Sequence, residues 1–207
     1  EGASLIVIDQ RETELTRFAD IWLRPLPNTE SQLIGGMLRV ILDESLDDHE
    51  YLRESCVNLD ELKKSLWSFD LVKIERATGI PLIQIQKAAR LISQQGPSSI
   101  LYALETIDND FKRSCIEALV NLALVTGNIG KPFSGLFPLF TGTNEQGAKD
   151  VGCSPHYLPG YNILGNETKR TFFEELWQAE IPTEAGLSLK EITQAIHDKR
   201  IKALQII

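Results

Sequence analysis

Apolar and polar positions alternate along this chain in two rhythms. Continuous apolar runs occur from Ser4 to Asp9, Ile21 to Leu23, Ser99 to Leu104 and Ile201 to Ile207. A strand covered by helices above and below has no wet face, so such runs predict strands of a buried parallel sheet. Between them the apolar spacing changes to three and four. Leu33, Ile34, Met37, Leu38, Ile41 and Leu42 share one face of a helix predicted over 30–44, with Thr29 and Gln32 as its capping box. A short helix over 12–19 precedes it, and Pro25 and Pro27 break the chain between the two. Acidic amphipathic helices are predicted over 49–56, 59–67 and 70–77, the second opened by Asn58 with Glu61. Pro81 suits the first position of the next helix, which ends at Gly96, and 111–125 turns almost wholly apolar toward its end. Asn166 opens a helix to Trp177, and Ser188 with Glu191 opens another ending near Lys199.

Strands alternating with helices predict the α/β class: a mostly parallel twisted sheet with helices on both faces. The composition shifts near Lys131, after which glycine, proline and aromatic loop residues dominate to about Gly165. Two regions are therefore expected, a partial α/β domain over 1–140 and the start of a second α/β domain over 141–207. The strand-like runs at both ends predict a piece of a larger polypeptide.

With 207 residues, 43% of them apolar, the chain can bury a substantial core. Its net charge of −8 and its lack of a Lys/Arg cluster exclude phosphate-backbone binding, so no nucleic acid partner is expected. Cys56, Cys115 and Cys153 are too far apart for zinc or iron-sulfur spacing and predict reduced thiols in a cytoplasmic setting. No apolar run approaches the roughly 20 residues that cross a bilayer.

The candidate chemistry lies mainly in the segments from Thr126 to Pro132 and from Asn144 to Gly152, followed by Pro159, Gly160 and Tyr161. Their glycines admit close backbone approach, and their amides both donate and accept, which suits a large polar cofactor. Asp9 and Arg11 lie at the end of the first strand, where α/β sheets bind nucleotides and an acid often holds a ribose hydroxyl. Asp9 capping the next helix, with Arg11 in a surface pair, explains them equally. Glu30 opens its helix, where the dipole favours an acid; it either caps or pairs with the N–H edge of a guanine. His156 has no carboxylate or second histidine at motif distance, and no nucleophile elbow, Walker loop or GxGxxG is present.

Taken in order, Gly2 to Arg11, Phe18 to Asp20, Pro27 to Glu30, Ser98 to Leu101, Leu122 to Pro132, Asn144 to Gly152 and Pro159 to Tyr161 resemble the molybdopterin oxidoreductases. That family includes formate dehydrogenase catalytic subunits and the large iron-sulfur subunit of respiratory NADH:quinone oxidoreductase (complex I). The resemblance implies a Rossmann-like domain, a bis-molybdopterin guanine dinucleotide held between two α/β domains, and iron-sulfur clusters outside this chain. It implies that Asp9 and Arg11 match the strand-end nucleotide motif and that Glu30 matches the acid that reads guanine. Asn144, Gln146, Gly147 and Asp150 match the loop bordering the pterin. No residue here is expected to be catalytic or to ligate metal. The run from Ile201 to Ile207 resembles the strand that leads, in relatives, into a further cofactor loop.

The departures from the family pattern are specific. Gln10 replaces a usual proline, and Glu30 stands where Asp is typical. Tyr102 to Thr106 occupies a place that is often Gly-rich, where Tyr102 and Leu104 add bulk and Glu105 adds negative charge. Unpaired like charge in a partly dry site costs several kcal/mol. Phe140 stands where formate dehydrogenases carry an arginine, and a phenyl ring cannot clamp an anion. The expected function is therefore a scaffold in an electron-transfer complex, the NADH:quinone oxidoreductase large subunit with a degenerate cofactor cleft. The alternative is part of a catalytic molybdenum oxidoreductase such as a formate dehydrogenase alpha subunit. On both readings the chain alone is inactive and docks other subunits, with the helices between Asp43 and Arg76 as the candidate surface. Its expected location is cytoplasmic, with attachment to the inner face of a membrane only through partner subunits.

Overall fold

The computed structural model describes residues 2–103, 109–140 and 142–204. The chain divides into two compact units, Glu1–Leu139 and Phe140–Ile207, each described by itself. The fold class is α/β.

In the first unit, β1 (Ile6–Ile8), α1 (Glu14–Phe18) and β2 (Ile21–Leu23) form a parallel crossover, with Ile6 opposite Ile21 and Ile8 opposite Leu23. Next come α2 (Glu30–Asp43), α3 (His49–Ser55), α4 (Leu59–Trp67), α5 (Leu71–Thr78) and α6 (Leu82–Gln94). A second parallel pair is β3 (Ser99–Tyr102) with β4 (Gly135–Pro138), linked through α7 (Asn109–Val125). α2 is the central element and packs against α4, α5, α6 and α7. The apolar stripe read from the sequence is the reason: Leu33, Ile34, Met37, Leu38 and Ile41 are all buried, together with Ile74, Ile85, Ala88, Leu122 and Val125. Each such side chain contributes about 1.5–3 kcal/mol on leaving water. Gly35 is required by proximity, since a Cβ there would lie 2.8 Å from the Phe69 ring.

The second unit holds α8 (Glu145–Asp150), an antiparallel pair β5 (Tyr157–Leu158) and β6 (Asn162–Ile163) around a 3-10 turn at Pro159–Tyr161, then α9 (Glu167–Trp177) and α10 (Leu189–His197). The Asn166 carboxamide accepts from Lys169 N–H, and Ser188 with Glu191 forms a reciprocal capping box, as the sequence predicts.

Other expectations are corrected. Thr29 does not cap α2 through its side chain; its hydroxyl donates to Leu26 O at 2.6 Å. Asn58 adopts a left-handed conformation and caps by position alone, without a side-chain bond. Residues 201–204 are not a strand, and 205–207 lie outside the described residues. β4 occupies a stretch read as loop, because glycine and proline hide a short strand. Asn144 to Asp150, also read as loop, forms a helical turn. Among the described residues no helix is long and apolar enough to cross a membrane.

Candidate functional site

In the first unit, the parallel pairing of β1 and β2 puts both strand ends on one rim. Asp9, Gln10 and Arg11 follow β1, and Arg24 follows β2. Asp9 is turned inward on its own loop: its Oδ1 accepts from Arg11 N–H at 2.8 Å. The Arg11 guanidinium is only 3.9 Å from the same oxygen and 85% exposed, so it is held weakly and stays available to an anion. Trp22 Nε1 donates to Asp9 O at 2.9 Å, and Arg24 Nε donates to Gln10 O at 2.8 Å. These bonds tie the β1 loop to the end of β2.

Glu30 joins this rim from the first turn of α2. Gln10 Nε2 donates to its Oε1 at 2.6 Å, while its Oε2 is buried and has no hydrogen-bond partner among the described residues. Beneath it, on α7, lies the buried thiol of Cys115, pushed up to about 11 by burial first and by the charge of Glu30 second. That thiol is therefore protonated at neutral pH and is no thiolate ligand. The rim thus presents an acceptor with no donor and a loosely held cation.

In the second unit, Asn144 is left-handed (φ 57°) at the start of α8, with its amide laid against Gly147: a Cβ there would meet Asn144 Oδ1 at 2.5 Å. A side chain at 147 would have to push that amide aside. Gln146 Nε2 donates to Asp150 Oδ1 at 2.9 Å and to Tyr161 Oη at 2.6 Å. The structure thus pairs Asn144 with Gly147, and Gln146 with Asp150. Lys149 Nζ pairs with Glu145 at 2.7 Å and lies 3.8 Å from the Phe140 ring centroid. Glu191 is held below its usual range by the Ser188 hydroxyl and N–H, and only weakly by His156.

The sequence reading missed Gln10 and Arg24 as partners on the rim and Tyr161 as a partner of Gln146. Gln10 was visible only as a departure from the family pattern. Arg24 needed the β1–β2 register, which follows from a parallel crossover. Tyr102, expected to crowd the cleft, packs its ring against the core. Leu104, Glu105 and Thr106, expected to crowd or charge it, lie outside the described residues. Among the described residues no cluster of His, Cys, Asp and Glu is arranged to hold a metal ion.

Comparison with known proteins places this geometry in a lineage. The chain is 33% identical over its whole length to the F420-dependent formate dehydrogenase 2 subunit alpha of Methanococcus maripaludis, covering 30% of that subunit. It is 34% identical, over 98% of its length, to the assimilatory nitrate reductase catalytic subunit of Bacillus subtilis, covering 29% of it. The solved structure of acetylene hydratase from Pelobacter acetylenicus superposes with a TM-score of 0.60 at 34% identity, over 63% of this chain and 18% of that one. The chain belongs to the molybdopterin oxidoreductase family. No family model matches it. It spans about 30% of the length of the curated relatives it matches. Membership of the molybdopterin oxidoreductases implies a molybdenum and pterin cofactor in the family.

Proposed function

We propose that this chain is a cofactor-holding portion of an oxidoreductase subunit of the formate dehydrogenase kind. Asp9, Arg11 and Glu30 are assigned to the guanine nucleotide of a molybdopterin guanine dinucleotide. Asn144, Gln146, Gly147 and Asp150 are assigned to its pterin. The two regions 1–140 and 141–207 are taken as parts of two α/β domains. Iron-sulfur clusters and the metal ligand belong to the rest of the polypeptide, other subunits of a dehydrogenase complex are its partners, and its location is cytoplasmic.

One observation carries the reading. Among the described residues the Glu30 Oε2 atom is buried without a donor, and leaving a buried polar group unsatisfied costs about 1–3 kcal/mol, more when it is charged. A framework with no ligand would gain nothing from that cost. A guanine edge offers two adjacent N–H donors, and Gln10 already engages Oε1, so the free oxygen fits such an edge. Arg11, mostly exposed, fits a phosphate. When bound, the cofactor supplies the two-electron chemistry at its metal. This chain's residues bind and orient it and take no covalent part.

A second reading, the scaffold of an NADH:quinone oxidoreductase large subunit with an emptied cleft, is favoured by Phe140. Lys149, which lies over its ring, is already paired with Glu145, so that cation is not free to clamp a small anion. Metal analysis and nucleotide extraction of the intact parent complex separate the two. Stoichiometric molybdenum with guanine nucleotide supports the first reading, and an assembled complex lacking both supports the second.

A further inference from the structure

The hydrogens of the Gln146 cluster form a closed set. The Gln146 amide nitrogen has two hydrogens, and both are used: one on Asp150 Oδ1 at 2.9 Å, the other on Tyr161 Oη at 2.6 Å. Burial first, and a hydrogen bond to Asp150 second, raise the Tyr161 phenol above its usual range, so its one hydrogen is turned toward Asp150. The ring of three bonds runs in one direction only. Rotating the amide by half a turn would set its carbonyl oxygen against a carboxylate with no hydrogen between them. The orientation of Gln146 is therefore fixed, and its Oε1 is the group left for a ligand.

Tyr161 is itself held tightly. Its φ is 59°, in the left-handed region that bulky residues avoid, and such conformations persist only where the surroundings enforce them. Its ring makes an edge contact with Tyr157 at 6.2 Å, and α8 packs on the Pro159–Tyr161 turn. The backbone strain places a phenol oxygen where Gln146 needs an acceptor.

We infer that Tyr161 and Asp150 are positioning residues that turn Gln146 into a pure acceptor, so that this position selects an N–H edge, as a pterin ring carries, over a carbonyl edge. The inference rests on the assignment of this segment to the pterin. It narrows the part given there to Asp150, which like Tyr161 serves the pterin through Gln146 and not by touching it.

The test uses the full-length parent with its subunits. Pterin is measured as fluorescence of the oxidised extract per mole of protein, and its loss is followed after dilution. Tyr161→Phe and Asp150→Ala should each lose pterin about three- to tenfold faster, the worth of one ordinary hydrogen bond. Asp150→Asn should stay closer to wild type, because its carbonyl still accepts from Gln146. In a Gln146→Ala background, Tyr161→Phe should add no further effect, which a merely structural role would not produce. The matching Asp150→Ala cycle reads the same coupling if Tyr161→Phe fails to fold. Pterin in the wild type with an unchanged rate in Tyr161→Phe, or an effect of equal size with and without Gln146, overturns the inference alone. A wild-type protein lacking pterin overturns the cofactor assignment together with it.

Discussion

Gln10 and Glu30 meet through a 2.6 Å hydrogen bond from the Gln10 amide to Oε1 of the carboxylate. The bond joins the loop after β1 to the first turn of α2 and fixes which oxygen remains open. A proline at position 10 has neither a side-chain nor a backbone donor and could not do this. Positions 10 and 30 are thus physically linked in this chain. The longer carboxylate reaches the glutamine and still leaves one oxygen for a ligand.

Replacing Glu30 by Gln should separate function from stability. The variant keeps size and the bond from Gln10 but removes the charge and the second acceptor. Guanine nucleotide retained by the purified parent should fall at least about tenfold, in line with the 1.5–3 kcal/mol of a charged hydrogen bond. The thermal midpoint should stay level or rise, because a buried unpaired charge has gone. Full retention of nucleotide in this variant would contradict the role given to Glu30.

Asp48 links the cap of α3 to the segment after α7. Its Oδ1 accepts from Tyr51 N–H at 3.0 Å, and its Oδ2 receives Lys131 Nζ at 2.7 Å. The Lys131 bond first, and the Tyr51 N–H second, hold its carboxyl below the ordinary 3.8. A depressed folded-state pKa gives stability that is complete above the unfolded value and lost as pH falls through the folded one. Asp48→Ala should cost about 1–2 kcal/mol at pH 7. Lys131→Met should cost about 0.5–1 kcal/mol, because the pair is partly exposed. Urea unfolding should show the Lys131 advantage at neutral pH and its disappearance well below pH 3.8.

Cys115 sets an alkaline limit. Its folded-state value is raised from 9.0 to about 11, so the unfolded chain ionises first as pH rises. Stability should therefore be unaffected below about pH 9 and fall between about pH 9 and 11. The full loss is about 2–3 kcal/mol. Cys115→Ala should flatten that limb in denaturant titrations, and a limb of the same depth in the variant would show that another group is responsible.

Ile41 is fully buried on the central face of α2. Ile41→Ala should cost about 2–5 kcal/mol by transfer and cavity terms. Chemical denaturation at a single pH measures it directly.

The sequence made the helices legible where periodicity and caps agreed. α2 is set by six apolar positions on one face, α10 by Ser188 with Glu191, and β1 and β2 by their unbroken apolar runs. It failed where conformation came from elsewhere in the chain. β4 exists because β3 is there to pair with it, and its glycine and proline argue against a strand on their own. Asn58 looks like a side-chain cap, yet it takes a left-handed backbone that its short amide tolerates. The candidate site residues were chosen through the resemblance. Their partners Arg24 and Tyr161 depend on register and on turn geometry fifteen residues away, which no local pattern records.

A helix of six residues has too few internal bonds to persist by itself, and α8 is such a helix. Its order is borrowed from the Tyr161 phenol and from the Glu145–Lys149 pair. The segments around residues 145–150 and 157–163 should therefore open and close as one cooperative patch, with matching amide exchange. Any ligand that steadies one half of that patch will quiet the other.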